Sequence, residues 1–429
     1  ETLRARSAAA GAGVNGRVAI ALFVLALGGC SAFAAQQVYA PQKTFHTWDD
    51  IQRGKYLARA GDCESCHTAP GGKPWAGGRA VPTPFGIVYS MNITPDRDTG
   101  IGAWSSDDFY RSMHEGIDRE GKRLYPAFPY PWYTHMPRGD VDAIKAYLDT
   151  LQPVRQVNRP PKLGWPFSMR SMLSIWDKLY LHSDEFQPDP KQSAQWNRGA
   201  YLVEGPGHCG ACHTDKNFLG AVDRDHPMQG GFAEHVFAPN LGKGERDGLS
   251  GWSEQDIVRY LGTGMNARAT AAGPMAEVVQ QSTQYLTQED LQAMAVYLKS
   301  LAGPDASQPR APDSDIMRAG KALYVDDCAG CHMQAGEGLA DTFPPLRRSS
   351  AIQAAEPDLL IAVILQGAKS PATKAKPTGL AMPAFANKLD DAEVAALTTY
   401  IRNEWGNQAA TVSERDVSKL RETLASAPQ

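Results

Sequence analysis

Three stretches of the chain place apolar residues three and four positions apart: VDAIKAYL from Val141, LQAMAVYL from Leu291 and VAALTTYI from Val394. That spacing is the period of a half-buried helix, and each stretch sets a tyrosine (Tyr147, Tyr297, Tyr400) on its apolar face. Upstream of each lies a shorter helical pattern that opens on a glycine: RGKYLARAGD from Arg53, RGAYLVEGPGH from Arg198 and AGKALYVDD from Ala319. A third kind of helix falls between them, SSDDFYRSMHEGI from Ser105, SEQDIVRYLGTGM from Ser253 and PDLLIAVILQG from Pro357. The first two of these follow a shared landmark, Asn92-Ile93 up to Trp104 and Asn240-Leu241 up to Trp252. The pattern predicts one small helical domain written three times, with the tyrosine of each closing helix packed on the opening helix.

Six of the seven cysteines fall at one place in this repeat. They form Cys63-Glu64-Ser65-Cys66-His67, Cys209-Gly210-Ala211-Cys212-His213 and Cys328-Ala329-Gly330-Cys331-His332. In a C-x-x-C-H run the two thiols add to the two vinyl groups of one haem and the adjacent histidine reaches its iron, which is the c-type attachment pattern. Zinc would need a second cysteine or histidine pair in each repeat, and none stands at ligand spacing. Thioredoxin-like chemistry needs a βαβ context, and a structural disulfide leaves the histidine after every second cysteine without a reason. Three covalent haem c groups are therefore expected, on Cys63, Cys66, Cys209, Cys212, Cys328 and Cys331, with His67, His213 and His332 as iron ligands. A large flat cofactor also gives a domain with little apolar sequence its core.

A methionine thioether as sixth ligand raises the haem potential and closes the iron, as electron transfer requires. Met382, in Gly379-Leu380-Ala381-Met382-Pro383, and Met275, in Gly273-Pro274-Met275, stand in loops suited to it. Met275 comes 23 residues after Trp252, but 24 residues after Trp104 the same slot holds Phe128, which cannot bind iron. Met136 follows in the same proline-rich loop and is the preferred ligand, with His135 or a five-coordinate iron as the alternatives. Met113, His114, Met265 and Met294 are read as packing or surface residues.

Composition narrows the class. Hydrophobic residues make up 42% and charged residues 21%, a globular balance, while a net charge of −4 gives no reason to expect a nucleic-acid partner. The 30 prolines and 40 glycines follow no period. Residues 1–35 read as an export leader, with Arg4, Arg6 and Arg17 ahead of the apolar run VAIALFVLAL from Val18, which is too short to span a bilayer comfortably. Ala32-Phe33-Ala34 offers a cleavage site and Leu27-Gly28-Gly29-Cys30 a lipobox, and both routes stay open. Removal of residues 1–29 takes away three bases and one acid and leaves a charge of −6. The GxGxxG string at Gly11 lies inside this leader, without a preceding strand, and is read as accidental.

The resulting layout is a leader at 1–35, helical haem domains at 45–157, 193–303 and 313–406, linkers at 158–192 and 304–312, and a polar tail at 407–429. The first linker contains LGWPFSMRSMLSIWDKLYLH from Leu163, a Trp-flanked amphipathic segment suited to a membrane surface, a partner subunit or the protein's own interior.

Together with the three pentapeptides, NITPD at Asn92, GKRLYPAFPY at Gly121, WNRGAYLVEG at Trp196, CGACHT at Cys209, AAGPMAE at Ala271 and MPAF at Met382 resemble the triheme cytochrome c subunits of bacterial membrane-bound dehydrogenases. The resemblance runs from about Trp48 to Leu420. It implies an all-α fold of three tandem class I cytochrome c-like domains, exported to the periplasmic face of the inner membrane. It also implies a catalytic partner that oxidises alcohols, aldehydes, gluconate, sorbitol, fructose or glucose, with a small third subunit in some complexes, and electrons passed on to ubiquinone. The AFPY variety followed by a downstream methionine leans toward alcohol or aldehyde dehydrogenases. Many members carry methionine where this chain has Phe128. Two other readings compete: a stand-alone haem enzyme or sensor with an open first iron, and a soluble electron shuttle.

Overall fold

The computed structural model describes residues 46–304 and 309–426. The leader with its lipobox Cys30, and residues 305–308 of the second linker, lie outside the described residues.

Each repeat opens with a helix, Trp48–Ala60, Ala194–Glu204 or Ser314–Asp327, and closes with another, Arg138–Leu148, Gln288–Ser300 or Asp391–Asn403. The opening and closing helices cross at a glycine. A Cβ on Gly54 would lie 1.8 Å from the Ala143 carbonyl oxygen, on Gly199 2.0 Å from that of Ala293, and on Gly320 2.3 Å from that of Ala396. No other residue type allows so close an approach, so the glycine that begins each opening pattern sets the interhelical distance. Tyr297 and Tyr400 pack on the opening helix as the pattern predicts, with Tyr297 edge-on to Trp196 and Tyr400 against Tyr324. Tyr147 also meets the ring of Trp75, 5.9 Å away.

Between them runs the middle helix, Ser106–Glu115, Glu254–Thr263 or Asp358–Gln366. The first two start from reciprocal caps, Ser105 with Asp108 and Ser253 with Asp256, which satisfy end groups that the helix leaves open. All three stop at a glycine in a left-handed or related conformation, Gly116, Gly264 and Gly367.

Short strands sit among the helices, an addition to the all-α expectation. Ala80–Thr83 pairs with Gly86–Tyr89, Gly231–Ala233 with Val236–Ala238, and Ala368–Lys369 with Ala381–Met382, all antiparallel. The linker strand Lys162–Leu163 joins the first hairpin at Gly86–Ile87.

The core is not divided in three. Leu57, Ile144 and Leu148 of the first repeat and Leu202, Leu291 and Leu298 of the second belong to one continuous apolar cluster. A second cluster gathers the third repeat, around Tyr324, Ile361, Leu397 and Ile401, and takes in Val236 from the second repeat's hairpin. Each fully buried Leu or Ile contributes roughly 1.5–3 kcal/mol. The polar tail after Trp405 forms a helix at Glu414–Ser426 and buries Val417 and Leu420 in that second core. Arg402 is also buried there, with its guanidinium spent on the carbonyls of Ile352 (2.8 Å), Ala354 (3.0 Å) and Ala410 (3.2 Å).

Candidate functional site

In each repeat the opening helix runs into the pentapeptide, which makes one further helical turn. The amide of His67 donates to the Cys63 carbonyl at 3.0 Å, His213 to Cys209 at 3.0 Å and His332 to Cys328 at 2.9 Å. The imidazole thus leaves the same turn that carries both thiols. All six cysteines are free thiols, so the disulfide reading is not what the chain adopts. Desolvation pushes Cys63, Cys209 and Cys328 up to about 12, which keeps them neutral. Among the described residues no group of three or more His, Cys, Asp or Glu side chains is arranged to hold a bare metal ion.

The three imidazoles are held in one way. Nδ1 of His67 lies 2.6 Å from the Met91 carbonyl oxygen, that of His213 2.7 Å from Pro239, and that of His332 3.0 Å from Pro344. A carbonyl oxygen only accepts, so Nδ1 carries the proton and Nε2 carries the lone pair. Desolvation lowers the pKa of all three rings and so favours the neutral form. A neutral imidazole oriented through its far nitrogen is the arrangement that presents Nε2 to a metal. The donor set therefore fits a haem c at each pentapeptide: two adjacent thiols for the vinyl groups and one prepared imidazole for the iron.

The loop that supplies these carbonyls explains the Asn landmark. Asn92 accepts from the Thr94 amide (3.0 Å) and donates to the Val154 carbonyl (2.7 Å), while Asn240 accepts from the Gly242 amide (2.7 Å). Each pins the backbone one residue beyond the carbonyl that tethers the histidine.

A second pair of residues went unnoticed in the sequence. Trp75 and Met228 both have positive φ, 66° and 61°. Their amides donate to Thr68 Oγ1 (3.1 Å) and Thr214 Oγ1 (3.0 Å), and their carbonyls accept from Ile93 (3.0 Å) and Leu241 (2.8 Å). They tie the pentapeptide to the Asn loop, and the threonine directly after His67 and His213 was the available signal.

The sixth-ligand candidates occupy different surroundings. The amide of Leu124 donates to the Gly116 carbonyl, and that of Ala271 to Gly264, both at 2.7 Å. Phe128 and Met275 each follow four residues on, so Phe128 stands where the second repeat has methionine. It packs against Tyr133, 5.4 Å away. Met136 is fully buried in the shared core, whereas His135 turns its Nδ1 to the Asp184 carbonyl at 2.9 Å on the exposed side. Met275 is half-buried in the helix Pro274–Gln281, which starts on Pro274, and Met382 is half-buried on its short strand opposite Ala368. Met113, Met265 and Met294 are buried packing residues, as expected.

The three sites are joined in series. Arg79 donates to the Ser65 carbonyl inside the first pentapeptide (3.1 Å) and forks onto Glu277, two residues past Met275. Tyr133 reaches the Gly61 carbonyl (3.2 Å) and lies edge-on to His208, beside the second pentapeptide. From the third repeat, Pro371 fills the space over Gly264, and the Ala372 amide donates to Gln280 at 3.1 Å.

A Cytochrome c family model matches residues 317–405. Over 397 residues the chain is 42% identical to the gluconate 2-dehydrogenase cytochrome c subunit of Pantoea cypripedii, covering 86% of this chain and 89% of that protein. It is 39% identical to the cytochrome c subunit of the alcohol dehydrogenase (quinone) of Gluconacetobacter polyoxogenes, covering 87% of this chain and 85% of the relative. It is 36% identical to the fructose dehydrogenase cytochrome subunit of Gluconobacter japonicus, covering 86% and 82%.

Proposed function

Because the chain belongs to the cytochrome c subunits of quinone-linked dehydrogenases, we propose that it is a three-haem electron relay. It takes electrons from a catalytic dehydrogenase subunit and delivers them to ubiquinone at the periplasmic face of the bacterial inner membrane. The observation that supports this reading best is the threefold recurrence of a neutral imidazole tethered through Nδ1 behind two free thiols.

Covalent haem c supplies a one-electron couple whose potential follows its axial ligands and burial. The protein's part is to hold and insulate it. Cys63 and Cys66, Cys209 and Cys212, and Cys328 and Cys331 form the thioether links. His67, His213 and His332 would ligate through Nε2. Met136, Met275 and Met382 would supply the second protein ligand of each iron, with Met136 serving the first repeat in place of Phe128. The two apolar cores keep water from the buried face of each site. Oxidation of the organic substrate belongs to the partner, whose substrate this chain does not contact.

Mass measurement of the mature polypeptide and a pyridine haemochrome assay test the reading together. Three covalent haems per chain are expected. A count of two or fewer overturns the relay in this form.

A further inference from the structure

The linker segment that sequence alone left between membrane, partner and interior turns a second apolar row outward. Its helix, Leu173–Tyr180, buries Leu173 and Asp177 and half-buries Trp176 against the first repeat. Asp177 is spent on Arg123 and on the Tyr130 hydroxyl at 2.6 Å, and Trp176 Nε1 donates to the Leu219 carbonyl at 3.0 Å. The opposite side of the same stretch carries Met172, Ile175 and Leu179, which are 43, 54 and 60% exposed at helical spacing. Two further aromatics of this region are exposed. Trp165 is 81% exposed and Phe218, next to the residue that anchors Trp176, is 85% exposed. Phe167 is exposed as well, its ring tilted against that of Phe85 at 4.3 Å. The side chains that hold this segment to the protein are thus different from those that it presents.

We propose that this face docks on an anionic lipid bilayer, with the Met172, Ile175, Leu179, Trp165 and Phe218 side chains in the interfacial zone. The inference rests on the membrane placement proposed above and names the surface that achieves it. Charge identifies the occupant. Between residues 155 and 180 stand Arg155, Arg159, Lys162, Arg170 and Lys178 against a single acid, Asp177, which is buried and paired; Arg155 pairs with Asp98 at 3.3 Å, and the excess stays basic although the whole chain is net negative. A short helix with an apolar outer row, flanking tryptophan and a basic surround is the composition of an in-plane interfacial element, held by apolar burial and by attraction to acidic headgroups. An eight-residue helix lies on a bilayer and does not cross it.

The test is flotation of the haem-loaded protein with vesicles of phosphatidylcholine alone or with phosphatidylglycerol added. The expected results are binding to the mixed vesicles and weak binding to neutral ones. Trp165→Ser/Ile175→Ser/Leu179→Ser lowers binding roughly tenfold or more. Lys162→Glu/Lys178→Glu, which leaves every apolar contact in place, abolishes the preference for phosphatidylglycerol. Visible spectra and haem count stay unchanged in both variants, so failure of docking is separable from failure of the relay. The proposal is overturned if the wild-type protein ignores the mixed vesicles, or if both variants bind them undiminished. It is equally overturned if the variants keep lipid binding but no longer co-purify with the dehydrogenase, which assigns the face to the protein partner.

Discussion

Tyr56 of the first repeat donates its hydroxyl hydrogen to Asp290 of the second at 2.5 Å, and the reverse contact exists as well: Tyr201 of the second donates to Asp140 of the first. The two carboxylates are the partners of Arg198 and Arg53, each within its own repeat. Tyr56 and Tyr201 stand two residues after the crossing glycines Gly54 and Gly199, so the contact is pseudo-symmetric and follows from the repeat itself. It lies between the two repeats whose apolar residues form one cluster. A fixed interface of this kind holds the two pentapeptides at one separation, which an electron relay between them needs.

Tyr56→Phe and Tyr201→Phe should each destabilise the joined pair by about 1.5–3 kcal/mol, the range for a hydrogen bond to a charged group. Urea unfolding followed by haem absorbance measures it. Neither variant should lower the haem count, because both hydroxyls lie outside the attachment turns. Equal midpoints for wild type and both variants would show that the interface does not depend on these bonds.

The same contact sets a pH dependence. Burial, then the bond to Asp290, pushes Tyr56 up to about 12 from its ordinary 10.0. A raised folded pKa means that the contribution is fully present below pH 10 and is lost as pH rises through about 12. At the acid end Asp290 behaves in the opposite sense. Burial pushes its pKa up, but the Arg198 and Tyr56 bonds outweigh this and hold it below the usual carboxylate range. Its contribution is therefore present above the ordinary value of 3.8 and fades as pH falls through the depressed one. Unfolding free energy measured against pH should decline at alkaline pH between 10 and 12, and Tyr56→Phe should flatten that decline.

Gly54→Ala, Gly199→Ala and Gly320→Ala should each cost about 1–3 kcal/mol through overpacking. Alanine's better helix propensity, about 1 kcal/mol, does not offset a Cβ placed 1.8–2.3 Å from a backbone oxygen of the closing helix. Gly330→Ala is the control. It lies in the third pentapeptide with nothing within 4 Å of the added carbon, and it should leave both stability and haem attachment unchanged.

With the ligands proposed here, Met136→Leu, Met275→Leu and Met382→Leu should each turn one ferric haem in three high-spin, read by electron paramagnetic resonance. Met113→Leu and Met294→Leu, at buried methionines used for packing, should leave all three low-spin. A spectrum unchanged in Met136→Leu would return the first site to His135 or to an open iron.

The parts legible in the sequence are those fixed by side-chain identity at short range. The pentapeptides, the glycine of each opening helix and the tyrosines of the closing ones all stand where periodicity put them. The displacement of methionine by Phe128 was also readable, because it only required aligning two repeats. What escaped notice depends on backbone or on distant pairing. The carbonyls that tether the three histidines come from Met91, Pro239 and Pro344, and a carbonyl leaves no mark in a sequence. Strands of two to four residues are too short to show alternation. Tyr56 and Asp290 are 234 residues apart, so only the fold brings them together.

The tail helix makes the separateness of the third core testable. Val417 and Leu420 are buried against it, and Arg421 bonds Asp391 (2.7 Å) and the Ala386 (2.8 Å) and Leu389 (3.0 Å) carbonyls around the start of the closing helix. Ending the chain at Val412 removes two buried aliphatic side chains, a loss of roughly 3–6 kcal/mol. The loss falls on the third repeat, since these residues pack into its cluster and not into the one shared by the first two. Thermal unfolding followed by near-ultraviolet circular dichroism should therefore split, with one transition moving to lower temperature and the other, from the shared core, staying where it is. A single transition that moves as a whole would mean that Val236 in the third repeat's cluster, with the contacts of Pro371 and Ala372, couples the two cores into one cooperative body.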